Sequence, residues 1–103
     1  MHHEQQQAAR AVLRVLGGAT LPTALAEVAD GAATRGHALV QELAYGTLRF
    51  WGRLDALARA LATKPLEAPL GALVAVALYQ LDHTDAPAFA VVDRAVEAAA
   101  LIA

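Results

Sequence analysis

Arg10 and Arg14 stand four residues apart. On a helix that spacing sends both guanidinium groups out of the same side. Two such groups can reach successive phosphates through paired hydrogen bonds. The competing reading is a solvated face on which both arginines pair with nearby acids. Tyr45, Arg49 and Arg53 recur at the same spacing further along, placing one ring beside two cations, a mixture that single-stranded RNA contacts use. Against this, Tyr45 can be a core residue and Arg49 an ion-pair partner of Glu42 or of an acid on another helix.

No catalytic constellation accompanies these residues. Glu42 is a lone carboxylate with no nucleophile signature beside it, so helix-surface or ion-pair duty is expected. His37 and His83 lack metal-ligand spacing. His37 is expected in a first turn and His83 in a loop. Asp82, His83 and Asp85 offer too few regularly spaced oxygens for a cation and read as a cap and turn. Trp51 is expected in the core, an exposed stacking platform being the alternative. His2 and His3 read as tail residues rather than as a metal pair.

The elements that must position these side chains are helices. The chain has 103 residues, enough for one domain, with 57% hydrophobic and 17% charged residues. Apolar content is ample for a core, and much of it is alanine, which favours helix and close helix packing. A net charge of −2 means that any nucleic-acid site is a local patch, since strongly binding domains are commonly basic overall. The absence of cysteine excludes a disulfide scaffold, a cysteine-ligated zinc and a cysteine nucleophile within these residues. No run is long enough to span a bilayer and no signal peptide is visible, so a cytoplasmic protein without a membrane partner is the default expectation.

Apolar residues at Ala8, Ala9, Val12, Leu13 and Leu16 predict a first helix over about 5–16, ended by Gly17-Gly18. Thr20 is a candidate N-cap for a second helix that carries Pro22 in its first turn, buries Leu21, Leu25 and Val28 and closes at Asp30-Gly31. A long stretch over about 35–62 follows, with Thr34 as its cap. Gly46 inside it costs about 1 kcal/mol relative to alanine, a cost commonly offset where another helix crosses closely. Gly52 is a second weak point at which the stretch can bend or split before Leu54. Leu54, Leu57, Ala58 and Leu61 continue the apolar face. Lys64-Pro65 stops it. A helix over about 67–81, apolar on nearly every side through Leu70, Leu73, Val74, Ala77, Leu78 and Leu81, belongs in the middle of a bundle. After a polar loop at 82–87, with Asp85 as a cap, a last helix over about 88–102 carries Val91, Val92, Ala95, Val96 and Ala99.

Gln41-Glu42-Leu43-Ala44-Tyr45-Gly46-Thr47-Leu48-Arg49, then Leu54-Asp55, then Leu78-Tyr79-Gln80-Leu81, then the Pro87-led helix together resemble the NusB-like domain. The resemblance covers about residues 8–100. It is closest to the version at the N-terminus of ribosomal RNA small-subunit cytosine-C5 methyltransferases of the RsmB (Sun/Fmu) type. Stand-alone NusB factors begin with an arginine-rich helix, and here only Arg10 and Arg14 occupy that helix.

The resemblance implies an all-α, NusB-like helical bundle of about five helices, lacking the family's final helices. Residues 1–7 would be a tail or helix start, and 8–103 an RNA-binding domain cut from a longer protein or shortened. It implies no enzyme activity in this chain and an accessory role instead. Arg10, Arg14, Tyr45, Arg49 and Arg53 would hold small-subunit ribosomal RNA for the protein's own C-terminal methyltransferase domain. S-adenosylmethionine and the two catalytic cysteines would belong to that absent domain, leaving no cofactor here. Self-association through an uncovered last helix is a further expectation. The alternatives are a stand-alone antitermination factor and a helical protein-interaction module.

Overall fold

A computed structural model describes residues 2–29 and 36–102. Among them are six helices and no strand: α1 His2–Leu16, α2 Leu21–Val28, α3 His37–Arg49, α4 Trp51–Leu61, α5 Ala68–His83 and α6 Ala88–Ile102. Asp30, Gly31, Thr34, Arg35 and Ala103, to which a helix end, a cap, a helix start and the chain end were assigned, lie outside the described residues.

α5 is the central helix and packs against α1, α3, α4 and α6, while α1 also packs against α2, α3 and α6. Small side chains make this possible. Ala8, Ala9 and Ala11 on α1 and Ala72 and Ala75 on α5 are buried, so the backbones can approach closely. Leu43, Leu54 and Leu73 are the largest fully buried apolar side chains, each stabilising the fold by about 1.5–3 kcal/mol.

The ends follow the expected chemistry. Gly18 has φ 115°, a left-handed conformation that glycine adopts without a steric penalty. It completes a Schellman turn in which Ala19 N–H donates to the Arg14 carbonyl and Gly18 N–H to the Val15 carbonyl, both at 3.0 Å. The Thr20 hydroxyl accepts from Thr23 N–H at 3.3 Å and caps α2.

Several expectations need correction. α1 starts at His2 rather than near Gln5, because Gln5 is a buried anchor whose amide holds the earlier turn in the fold. The long third stretch does split before Leu54, but two residues ahead of Gly52. It breaks at Phe50 (φ −108°, ψ 22°), whose ring is engaged by α5. Leu16, Leu57, Leu61 and Leu81 are exposed rather than buried, since no described element covers their side of the helices. Asp82 and His83 are not loop residues but the last turn of α5. The following turn is held by Thr84 rather than Asp85: its hydroxyl donates to the Gln80 carbonyl at 2.7 Å and accepts from Ala86 N–H at 3.3 Å.

Candidate nucleic-acid interface

The break at Phe50 gathers residues from three helices. Gly46 on α3 lies directly under Tyr79 of α5, and a Cβ at position 46 would overlap the tyrosine ring and hydroxyl. This is the close helix crossing that the mid-helix glycine implied. Tyr79 then stacks on His83, one turn later, at 5.1 Å between centroids and 22° between planes. Phe50 stacks on His83 at 4.4 Å and 7° and lies 6.5 Å from Tyr79. The outcome is a three-ring stack binding the α3–α4 junction to the end of α5.

Cations border the stack. Arg49 Cζ lies 5.5 Å from the Phe50 ring centroid, within range of a cation–π interaction worth about 0.5–1 kcal/mol at an exposed site. Arg53 Nη2 and His83 Nε2 each lie 3.3 Å from the same oxygen, Asp82 Oδ2. The arginine–aspartate pair is solvent-exposed, so it holds Arg53 weakly. Burial pushes the Tyr79 hydroxyl above its ordinary titration range. The Glu42 charge adds to that shift and Arg49 opposes it.

Tyr45 is 57% exposed on the same helix as Arg49, so the core reading of this residue is overturned. Arg49 is directed to Phe50 rather than to Glu42. Arg49 and Arg53 therefore border the ring stack, and Tyr45 stands exposed one turn before Arg49 on α3.

Arg14 belongs to a different seam. Its guanidinium donates twice to the Glu27 carboxylate of α2, at 2.6 and 3.1 Å. The Arg14 hydrogen bond and charge hold the Glu27 carboxyl below the ordinary carboxylate range. Arg10 is exposed and makes no ion pair among the described residues. Of the sequence-marked arginines, Arg10 and Arg49 are thus the ones with no ion pair to a carboxylate among the described residues.

Phe50, Tyr79 and His83 were not singled out from sequence as parts of a site. The four-residue spacing of Tyr79 and His83 was a usable signal. The arrival of Phe50 was not, because it depends on where the long helical stretch divides. Among the described residues no group of three potential ligands for a metal occurs, and no helix is long and apolar enough to cross a membrane.

Known proteins resemble the chain over most of its length. A family model described as the NusB family matches residues 2–102. The ribosomal RNA small subunit methyltransferase B of Vibrio vulnificus is 44% identical over 85 residues, covering 80% of this chain and 20% of the relative. That of Pseudomonas putida is 43% identical over 93 residues, covering 86% and 21%. That of Vibrio cholerae is 40% identical over 96 residues, covering 89% and 22%. The chain spans about a fifth of the length of these curated relatives.

Proposed function

Since the chain belongs to the NusB family, we propose that it is an RNA-positioning domain that serves a ribosomal RNA (cytosine-C5) methyltransferase. Chemistry would be left to a separate domain that binds S-adenosylmethionine. The observation that carries this reading is the exposed Tyr45 on α3, with Arg49 and Arg53 bordering the Phe50–His83 stack. Rings supply sequence-tolerant stacking for unpaired bases, and the guanidinium groups neutralise neighbouring phosphates. Arg10, exposed on α1, is a further cation open to a phosphate. Arg14 joins it only by giving up part of its bond to Glu27. The domain's own net charge of −2 limits affinity, which suits a module that orients RNA beside a catalytic partner.

The test is binding of the chain to a small-subunit ribosomal RNA hairpin across a salt series. Affinity that falls steeply with salt, and falls further in Arg10→Ala with Arg49→Ala, supports the reading. Salt-independent or undetectable binding refutes it.

A second reading, a protein-interaction module, is favoured by α6. Phe89, Val92 and Val96 are 79%, 52% and 65% exposed at spacings that share one helix face. Val92 and Val96 also line an apolar groove between α5 and α6, a surface suited to the methyltransferase domain or to a second copy.

A further inference from the structure

A cleft of about 490 Å³ lies away from the ring stack, between the C-terminal half of α1, α4 and the α4–α5 connection. Its size falls within the roughly 300–1,000 Å³ typical of small-ligand sites. Leu13 and Leu16 of α1 form one side and Trp51 of α4 lines the other. Leu16 is 47% exposed at the opening. Trp51 is half-buried and packs against the core, so it is firmly placed while still lining the cavity.

The rim is charged. Asp55 and Arg59 pair at 3.1 Å one turn apart on α4, and both line the cleft together with Lys64. With Asp55 neutralised by Arg59, Lys64 is the excess positive charge, exposed and without an ion pair among the described residues. In a chain of net charge −2 this is a local reversal of sign.

An apolar slot with an indole wall suits a flat ring, and a cationic rim suits an anion beside it. We infer that this cleft takes the nucleoside monophosphate unit of an unpaired RNA residue, its base against Trp51 and its phosphate at Lys64 and Arg59. That RNA is the source of the nucleotide rests on the proposed function. The nucleotide preference itself rests only on the cleft. The site would then read one flipped-out residue while the α3–α5 ring stack holds the strand elsewhere.

Trp51 is the only tryptophan of the chain, so its emission reports the cleft directly. The full chain is titrated with uridine monophosphate, with uridine and with hexauridylate, exciting at the red edge of the indole band. Saturable quenching by the monophosphate is expected. Arg59→Ala with Lys64→Ala, both at exposed positions, should weaken it roughly tenfold, the scale of a lost charged contact. Ala62→Phe, which fills the cleft, should abolish it, with circular dichroism confirming that helix content is kept. Linear quenching unchanged in the rim variant overturns the inference, as does uridine binding as tightly as its monophosphate. Hexauridylate binding that leaves Trp51 untouched removes the cleft from the RNA path but spares the proposed function. Monophosphate quenching with no hexauridylate binding does the reverse.

Discussion

Gln5 Nε2 donates a 2.7 Å hydrogen bond to Gln80 Oε1, joining residues 75 positions apart in a fully buried setting. The same amide nitrogen donates to the Val91 carbonyl at 3.2 Å. One side chain of α1 thereby holds α5 and α6 together. The glutamine of the Leu78-Tyr79-Gln80-Leu81 block is therefore an architectural residue.

Gln80→Leu should destabilise the domain by about 1–3 kcal/mol, because it leaves a buried amide donor short of a partner. Adding Gln5→Leu should recover part of that loss, since two apolar groups then face each other. Urea denaturation of the wild type, both single variants and the double variant measures the coupling. Strictly additive effects would show that the glutamines act independently.

The two weak points of the long helical stretch should respond in opposite directions. Gly46→Ala pushes a methyl group into Tyr79, and that ring is itself held by His83 and Phe50. A loss of about 1–3 kcal/mol is expected, outweighing the helix-propensity gain of about 1 kcal/mol. A Cβ at Gly52 meets nothing within 4 Å, so Gly52→Ala should stabilise by about 0.4–1 kcal/mol. Thermal melts of the two variants decide it.

Glu27→Gln should change both acid stability and RNA binding. Arg14 holds the Glu27 carboxyl below its ordinary range. The pair's contribution is therefore present above the unfolded-state pKa and is lost as pH falls through the lower folded-state value. The variant should lack that portion of the acid limb in a stability–pH profile. It also releases Arg14, so affinity for a ribosomal RNA hairpin should rise and its salt dependence steepen by about 0.7–0.9 for each added phosphate contact. An unchanged salt slope would mean that Arg14 does not reach RNA.

Phe89→Ser with Val96→Lys should lower any concentration-dependent association of the isolated chain without unfolding it. Both side chains are largely exposed, so substituting them leaves the core intact. Sedimentation equilibrium over a range of concentrations reads the effect. Association that persists at the wild-type level would place the contact away from α6.

Helix order and type were legible because each apolar stripe repeats with helical period and each stop carries glycine, proline or a cap. Gly46 even announced a close crossing. Two things were hidden. Periodicity tells which side of a helix is apolar, not whether a neighbour covers it, which is why Leu61 and Leu81 were expected in the core and stand exposed. Partners across the fold were hidden as well. Pairing of Arg14 with an acid was open from the sequence, but which acid was not, and Glu27 and Asp82 reach Arg14 and Arg53 from other helices. Phe50 looked like one more apolar residue in a continuous helix until the break turned it onto His83.

The bolt at Gln5 has a consequence for birth on the ribosome. Its two acceptors lie 75 and 86 residues downstream, so α1 cannot make these bonds until α5 and α6 have been translated. Its docking thus includes a pairing 86 residues apart, which places it late in assembly. Until then the amide stays hydrated, and the alanine-lined faces of α1 and α5 are open to whatever chaperone attends the nascent polypeptide.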